Sequence, residues 1–381
     1  MRLYAAKLLL GVVAIGLCLP VSAGAGPLIE DIQVTAKSVI LIEAESGRVL
    51  FEDNAHTRTP MASTTKIMST LLALEHGGLD TPFVVDAQAV RAEGSSMGLQ
   101  EGDTVTLRAL CYGMMLPSGN DAANAAAVRV AGSMDAFVEQ MNRRVAQLGL
   151  ENTSFATPSG LDGKDHYSTA YDMAMITREA MKNPDFEEIT ATKRIKLSYG
   201  NHPYDRWMTN HNRLLGSEEG VIGGKTGFTE KSGRCLVSVA RRQGITLICV
   251  TLGAADDWNI HRSLYNKGYD LLQPVDLRVE VQVTGGGAPR GNLQAEGSGR
   301  LSFTKDEAAL LEVQVRVPPF VYAPVRQGQL LGEVICTIGG VPVFSQSLQA
   351  AQEVASAYPE QPRTGLWGWL FGIVQGMFGR Q

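Results

Sequence analysis

The stretch from Pro60 to Thr70, PMASTTKIMST, places a Ser-x-x-Lys motif at the start of a predicted apolar helix, with Pro60 in the first turn. Residues three apart on a helix share a face, so the hydroxyl of Ser63 and the amine of Lys66 are expected to meet. Burial lowers the pKa of a lysine from about 10.4, and a neutral amine can accept a serine proton. The stretch therefore constrains the fold to one that buries this helix and predicts an activated nucleophile.

The Ser-x-x-Lys spacing alone does not specify this chemistry. Ser63 also fits a serine that caps a helix. A second copy, Ser302-Phe303-Thr304-Lys305, falls in a strand-like stretch, and we assign it no chemistry. The rest of the sequence has to distinguish these interpretations.

Length and composition are typical of a globular protein of two domains. The 381 residues are 44% hydrophobic and 19% charged, and the formal net charge is −5. Without Arg2 and Lys7, the basic residues of a predicted leader, 32 basic residues face 39 acidic ones, a net charge of −7. This balance argues against nucleic acid as a partner, although local lysines can still bind an anionic substrate.

Residues 1–25 are predicted to be a secretory signal peptide. Two basic residues precede an apolar run, and the triplets VSA and AGA near its end are possible cleavage sites. The mature protein is therefore expected outside the cytoplasm. A lipoprotein anchored through Cys18 is the alternative, although Leu17 stands where a small residue is required.

Cysteine and histidine spacing predicts neither a cofactor nor a metal. Cleavage of the leader leaves four widely spaced cysteines, which show no metal-binding pattern and no dense disulfide framework. The six histidines include no H-E-x-x-H motif, which argues against a zinc peptidase. We therefore predict no cofactor and no metal site.

The order of elements predicts an α+β fold. A hairpin is predicted at Ser38–Glu43 and Arg48–Glu52, the middle of the chain reads mostly as helices and loops, and strands then return. This order favours an antiparallel sheet whose middle strands come from the end of the domain, covered by helices. The later helices are predicted at Ala122–Val130, Met134–Leu148, Tyr171–Met181 and Trp258–Leu272, and the later strands at Val221–Thr226, Cys235–Ala240 and Ile245–Leu252.

Pro274 marks a predicted domain boundary. Beyond it, apolar and polar residues alternate over 277–283 and 311–317, which is typical of half-buried strands. We predict a small β-rich domain over residues 274–355, followed by a linker and an amphipathic membrane anchor over residues 356–381.

The predicted anchor, from Leu366 to Phe378, contains two tryptophans at its start and no acidic residue. As a helix it gathers large apolar side chains on one side and glycines on another. We predict a helix that lies at the membrane surface with its aromatic rings in the interface. A spanning helix that pairs through its glycines and a core helix of the β domain are the alternatives.

Two further short motifs accompany Ser63. Residues 118–120, SGN, stand in a tight loop before a helix and can present a hydroxyl and an amide to a cleft. Residues 225–227, KTG, are predicted to open a strand, where they offer a cation, a hydroxyl and a glycine that lets a substrate backbone lie close. Residues 231–233, KSG, have the same pattern but are expected in a turn.

The ordered triple of Ser-x-x-Lys, Ser-x-Asn and Lys-Thr-Gly resembles the penicillin-binding proteins and serine β-lactamases. Longer segments make the chain similar to the low-molecular-mass D-alanyl-D-alanine carboxypeptidases from about residue 34 into the β domain. The resemblance implies a penicillin-binding/β-lactamase-like catalytic domain over residues 30–273, followed by the small all-β domain and the anchor. The segments are GSSMGL at 94–99, LPSGNDAA at 116–123, TPSGL at 157–161, NHNRLL at 210–215 and GKTGFT at 224–229.

The resemblance implies three catalytic residues. Ser63 would attack the carbonyl of the terminal D-Ala-D-Ala peptide bond and become acylated. Lys66 would be the base, its neutral form favoured by burial and by Lys225 nearby. Ser118 would relay the proton to the departing D-Ala before water releases the acyl-enzyme. β-Lactam antibiotics would acylate the same serine as substrate mimics.

It also implies five substrate-binding residues. Asn120 would hold the substrate amide, while Lys225 and Thr226 would bind the free carboxylate. Gly227 would let the substrate lie along the strand. The backbone N–H groups of Phe228 and of the nucleophile would form the oxyanion hole.

Other functions predict features that this sequence lacks. The G-x-S-x-G of an α/β-hydrolase occurs at residues 94–98, but no strand is predicted before it and no helix after it. A class A β-lactamase uses Ser-Asp-Asn, where this chain has Gly119, and no E-x-x-L-N segment precedes Lys225. An inactive β-lactam-binding scaffold that recruits partners is the alternative outside the enzymes.

Together these features predict an exported serine D,D-carboxypeptidase at the outer face of the cytoplasmic membrane. Its expected partners are the peptidoglycan stem peptide, β-lactams as inhibitors and the membrane through the C-terminal helix.

Overall fold

The computed structural model describes residues 7–8, 28–29, 32–276, 279–286, 292–296 and 300–357. These residues belong to two compact units. The first unit falls within Ala23–Val275 and Arg300–Ala308, and the second within Met1–Ser22, Asp276–Gly299 and Ala309–Gln381. An ion pair between Arg48 and Glu307 ties the short segment 300–308 to the first unit.

The strands, numbered in chain order, are β1 Lys7–Leu8, β2 Ser38–Glu43, β3 Val49–Asp53, β4 Phe83–Val84, β5 Thr104–Val105, β6 Arg194–Tyr199, β7 Tyr204–Thr209, β8 Val221–Thr229, β9 Gly233–Arg242, β10 Ile245–Leu252, β11 Leu272–Asp276, β12 Glu280–Thr284, β13 Asn292–Glu296, β14 Arg300–Thr304, β15 Leu311–Arg316, β16 Val321–Tyr322, β17 Leu330–Ile338 and β18 Val341–Ala350. The helices are a 3₁₀ turn at Ala62–Thr65 and α1 Lys66–Glu75, α2 Leu107–Met115, α3 Asn120–Ala131, α4 Met134–Gln147, α5 Ala170–Ala180, α6 Pro184–Ala191, α7 Asp257–Leu271 and α8 Lys305–Leu310.

An antiparallel sheet in the order β3-β2-β10-β9-β8 organises the first unit. Every residue of β2 is buried, because both faces of the sheet are covered. Its side chains alternate between the two faces: Ile40 and Ile42 join the core around α1, whereas Val39 and Leu41 join the core around α7. The late strand β10 lies at the centre of the sheet, so the predicted α+β class and sheet arrangement are confirmed.

The predicted hairpin and the four predicted later helices are present, with ends that differ by at most two residues. Side-chain caps fix two of these helix starts. Ser133 accepts a hydrogen bond from the backbone N–H of Ala136 before α4, and Thr169 accepts one from Asp172 before α5. Such caps satisfy backbone N–H groups that the first helical turn leaves unpaired.

One local prediction was wrong. The helix that carries the Ser-x-x-Lys motif was expected to begin near Pro60, but Ser63 lies in the 3₁₀ turn and α1 begins only at Lys66. The strand predicted at Val221–Thr226 is present as β8, which begins at Val221 and continues to Thr229. Residues 225–227 therefore lie inside this strand rather than at its start.

The second unit contains a sheet in the order β1-β15-β17-β18-β13-β12-β16. Strand β12 shows the predicted alternation, with Val281 and Val283 buried between exposed neighbours. The predicted leader lies outside the described residues except at 7–8, and the predicted anchor lies outside them from residue 358 onward. Within the described ranges, no helix has the length and apolar character needed to cross a bilayer.

Candidate active site

Ser63 lies in the 3₁₀ turn before α1, where two other segments approach closely. Ala62 adopts a left-handed backbone with φ of +48°. A Cβ atom on Gly160 would lie 2.0 Å from the carbonyl oxygen of Ala62, and one on Gly227 would lie 3.0 Å from the amide nitrogen of Ser63. Position 160 therefore requires glycine, and a side chain at 227 would crowd the turn, which is held between the loop around Gly160 and strand β8. This contact fixes the position of the serine.

Lys66 is fully buried beside that serine. In a 3₁₀ turn, side chains three residues apart eclipse, and the Nζ atom of Lys66 lies 2.9 Å from the Oγ atom of Ser63. The amine also donates to Asn120 Oδ1 at 2.7 Å and to the carbonyl oxygen of Ser159 at 2.6 Å. The predicted contact between Ser63 and Lys66 is therefore present, with two further partners.

The surroundings of Lys66 favour its neutral form. Burial lowers its pKa well below the ordinary value, the positive charge of Lys225 lowers it further, and Asp121 opposes both. A neutral amine has two N–H groups and one lone pair. The Asn120 and Ser159 oxygens can only accept, so they take the two N–H groups and leave the lone pair for the Ser63 hydroxyl.

Ser118 and Lys225 form a second hydroxyl–amine pair in the site. Ser118 has a left-handed backbone with φ of +63° in the loop before α3, and its side chain is buried. Lys225 projects from β8 and donates to Ser118 Oγ at 3.0 Å and to the carbonyl oxygen of Thr226 at 2.8 Å. Burial lowers the pKa of Lys225 to about 7.

The first residues of α3 hold one wall of the site. Asn120 donates through Nδ2 to the carbonyl oxygen of Glu93 at 2.6 Å. The buried Asp121 carboxylate accepts three backbone N–H groups of residues 97–99 at 2.9 to 3.1 Å. These bonds fasten the irregular segment 93–99 to the helix and place Ser95 in the cleft lining.

These elements enclose a cleft of about 460 Å³ in the first unit. The predicted residues Lys66, Asn120 and Lys225 are buried and contact one another or the two serines. The other five predicted residues line the cleft. Its lining consists of Ser63, Ser95, Ser118, His211, Arg213, Thr226, Gly227, Phe228, Arg234, Cys235, Asp257 and Trp258.

Sequence reasoning gave no role to Ser159 or His166. His166 accepts the backbone N–H of Ala156 at Nδ1, so its neutral ring donates from Nε2 to Thr65 Oγ1 at 2.9 Å. Burial lowers its pKa to about 4, which keeps the ring neutral. It thereby joins the Ser63 turn to the loop that supplies the Ser159 carbonyl. In the sequence, the TPSGL segment at 157–161 drew attention to this loop but did not predict which residues it contacts.

The competing motifs occupy other environments. The G-x-S-x-G segment lies in neither a strand nor a helix, and the Ser96 hydroxyl donates to Asp121 at 2.6 Å. A Cβ atom on Gly119 would lie 2.7 Å from the carboxylate of Asp121, so the aspartate of a class A β-lactamase does not fit here. Among the described residues, no group of three metal-binding side chains is present.

Comparison with known proteins identifies related sequences and structures. A family model for D-alanyl-D-alanine carboxypeptidases, peptidase S11, matches residues 25–256. D-alanyl-D-alanine carboxypeptidase DacF of Bacillus subtilis is 31% identical over 335 residues, which cover 84% of this chain and 85% of the relative. DacC of Escherichia coli is 31% identical over 358 residues, 88% of each chain. Penicillin-binding protein 5 of Haemophilus influenzae superposes with a TM-score of 0.66 at 27% identity, over 86% of this chain and 100% of that chain.

Proposed function

This chain belongs to the S11 family of D-alanyl-D-alanine carboxypeptidases, and we propose that Ser63 is its nucleophile and Lys66 its general base. The protein is a serine D,D-carboxypeptidase that removes the terminal D-Ala from peptidoglycan stem pentapeptides through an acyl-enzyme, and β-lactams acylate it. One observation carries the residue assignment. The amine of Lys66 has two partners that can only accept, and its third partner is the hydroxyl of Ser63.

Acylation then follows from the geometry around Ser63. As the Oγ atom attacks the carbonyl of the penultimate D-Ala, its proton passes to the neutral amine of Lys66, which is buried and poised to accept it. The new oxyanion lies between the backbone N–H groups of Ser63 and Phe228. One such donor typically contributes about 3 kcal/mol to transition-state stabilisation.

Departure of D-Ala requires a proton on its nitrogen. Ser118 lines the cleft and accepts a hydrogen bond from Lys225 at 3.0 Å. We assign to its hydroxyl the transfer of a proton to the leaving amine. Water then attacks the acyl-enzyme and regenerates the free hydroxyl of Ser63.

Substrate binding uses the remaining predicted residues. The Lys225 cation and the Thr226 hydroxyl bind the free carboxylate of the leaving D-Ala. Gly227 carries no side chain, so the substrate backbone lies against β8 beside the turn of Ser63. One N–H of the Asn120 amide is bonded to Glu93, and the second is left to donate to the substrate amide.

Substitution of two cleft serines tests this assignment. Ser63→Ala should lower the release of D-Ala from diacetyl-Lys-D-Ala-D-Ala by at least about 10⁴-fold, because no other hydroxyl of the described residues bonds to the Lys66 amine. Ser95→Ala, in the same cleft lining, should retain most of the release. Loss of activity in Ser95→Ala with activity retained in Ser63→Ala would reverse the motif assignment.

The location proposal rests on the sequence. We propose that residues 1–25 direct export, that residues 30–273 form the catalytic domain, and that residues 274–355 form a β-rich spacer. The segment 356–381 would attach the enzyme to the outer face of the cytoplasmic membrane. Residues 366–378 are mostly apolar, include two tryptophans and contain no acidic residue.

Removal of residues 364–381 tests the anchor directly. The shortened protein should leave the membrane fraction and keep its activity on a soluble tripeptide. Continued retention in washed membranes would count against the tail as the point of attachment.

A further inference from the structure

Arg234 is a cation in the cleft lining that has no role in the proposed acylation or substrate binding. It lies on β9 directly opposite Phe228 of β8, and opposite residues of antiparallel strands share a face of the sheet. Thr226 lies two residues before Phe228 and therefore shares that face as well. All three residues line the cleft. Arg234 therefore shares this face of the sheet with the hydroxyl assigned to the substrate carboxylate.

The guanidinium of Arg234 is held in one orientation. Its Nε and Nη2 atoms donate to the two carboxylate oxygens of Asp257 at 3.2 and 2.6 Å. Asp257 is 2% exposed, and one of its oxygens also accepts the backbone N–H of Trp258 at 2.9 Å. The Trp258 ring lies 5.4 Å from the guanidinium carbon, within reach of a cation–π contact. The start of α7 thus fixes the arginine against the cleft wall.

This anchoring leaves part of the arginine available. A guanidinium has five N–H donors, and the two bonds to Asp257 leave the Nη1 edge without a partner among the described residues. The Arg234 side chain is 41% exposed and lines the cleft. An anchored guanidinium with a free edge binds carboxylates with little loss of side-chain entropy.

Arg213 is the other arginine of the cleft lining and has a different environment. Its residue is exposed, and no carboxylate pairs with it within the described ranges. An arginine without an anchor must lose its rotamer freedom when it binds, whereas Arg234 has already lost it. The geometry therefore favours Arg234 as the specific ligand and leaves Arg213 to the general positive field of the cleft.

We propose that Arg234, positioned by Asp257, forms a carboxylate-binding subsite for the stem peptide, and this inference rests on the proposed acylation of Ser63. Two substrate carboxylates have the required chemistry. One is the free carboxylate of the terminal D-Ala, which would lie between the Thr226 hydroxyl and Arg234. The other is a side-chain carboxylate on the third stem residue, which is present when that residue is a diamino diacid.

The ratio of acylation rates by penicillin and by its methyl ester isolates the terminal carboxylate. In the full-length protein, Arg234→Gln should lower the rate for penicillin by about 10- to 100-fold, the usual worth of a charge-assisted hydrogen bond, and should leave the rate for the ester within about 2-fold. A merely structural role would lower both rates together. Arg234→Lys, which keeps the charge without the fork, should restore part of the preference for the acid.

Arg241→Gln is the matched control. Arg241 lies on the same strand, makes two bonds to Glu187 at 2.8 and 3.1 Å, and is 43% exposed, but it does not line the cleft. The acid-to-ester ratio should be unchanged in this variant. If Arg213→Gln abolishes the preference while Arg234→Gln preserves it, the inference is overturned.

Tripeptides separate the two carboxylate sources. Diacetyl-Lys-D-Ala-D-Ala carries only the terminal carboxylate, and Arg234→Gln should raise its KM by at least about 10-fold with a smaller change in kcat. A rise confined to the analogue with a diamino diacid at the third position would place the third residue at the subsite instead. If Arg234→Gln changes the KM of both tripeptides and the rate of acylation by penicillin by less than about 2-fold, the proposed subsite is overturned. A wild-type protein that penicillin does not acylate on Ser63 would instead overturn the residue assignment on which it rests.

Discussion

Two copies of Ser-x-x-Lys occur in this chain, and their structures differ completely. In the first copy, Ser63 lies in a 3₁₀ turn that leads directly into α1 at Lys66, and their side chains meet at 2.9 Å. In the second, Ser302 lies on β14 and Lys305 begins α8. The Ser302 hydroxyl is buried without a hydrogen-bond partner among the described residues, and Lys305 is exposed.

The difference follows from backbone geometry. Side chains three residues apart eclipse on a 3₁₀ turn. On a strand, side chains an odd number of residues apart point to opposite faces. The chemistry of the motif also requires burial of the amine, and of these two lysines Lys66 is buried whereas Lys305 is exposed. A serine and a lysine at this spacing thus form a reactive pair only when the local fold eclipses them and excludes water.

Substitution of the two lysines is the strongest test of this comparison. Lys66→Ala should lower the second-order rate constant of acylation by penicillin about 10³-fold, since the general base is lost. Lys305→Ala should change it less than 2-fold, because its side chain is exposed at the end of the other motif. Stopped-flow or gel-based acylation assays measure both. Equal losses in the two variants would break the distinction.

The two K-[ST]-G motifs extend the comparison to stability. Burial lowers the pKa of Lys225 to about 7 from 10.5, so between these values the unfolded chain binds a proton that the folded chain does not. Stability should therefore rise with pH across this window. Lys225→Met should reduce the slope of the unfolding free energy by up to about 1.4 kcal/mol per pH unit.

Chemical denaturation at several pH values between about 7.5 and 9.5 measures that slope. Lys231→Met provides the control, because Lys231 lies in the exposed turn of the second K-[ST]-G motif. Its slope should match that of the wild type. A Lys225→Met protein with an unchanged slope would show that the buried amine keeps its proton in the fold.

The pH dependence of acylation sharpens the assignment of Lys66. The rate constant should rise with pH as Lys66 loses its proton. Lys225→Met removes a positive charge that lowers the pKa of Lys66 and should move this acidic limb to higher pH. Asp121→Asn removes a negative charge that raises the pKa of Lys66 and should move the acidic limb of the rate profile to lower pH. Shifts in the same direction for both variants would contradict electrostatic control of this lysine.

The smallest effect is expected at the second serine. The buried Ser302 hydroxyl has no partner among the described residues, so Ser302→Ala removes a desolvated group at no loss of a hydrogen bond. The free energy of unfolding should stay constant or rise by up to about 1 kcal/mol, and D-Ala release should not change. Denaturant titration measures this difference. A loss of more than about 1 kcal/mol would indicate a hydrogen bond that the fold requires.

Much of the fold was predictable because its signals are local. Alternating and apolar runs predicted β2, β10 and the strands beside them, and caps such as Thr169 fixed helix starts. The meeting of Ser63 with Lys66 also follows from spacing within one turn. For these features, the sequence pattern and the structure contain the same information.

The remaining partners of the site depend on distant contacts. Ser159 reaches Lys66 from 93 residues away through its backbone carbonyl, which any residue type supplies. The carboxylate of Asp121 accepts backbone N–H groups of residues 97–99, and any residue type there would also supply them. The sequence therefore gives no sign of this contact. Arg234 enters the cleft only because β9 pairs with β8 in one register. Spacing in the sequence does not contain that register.

Mass spectrometry of the purified full-length protein after brief exposure to penicillin tests the central claim most directly. Digestion and peptide mapping should find one penicilloyl adduct, on the peptide that contains Ser63. The peptide that contains Ser302 should remain unmodified, as should the Ser63→Ala protein. An adduct on any other serine, or none in the wild type, would contradict the proposal that Ser63 and Lys66 form the reactive pair.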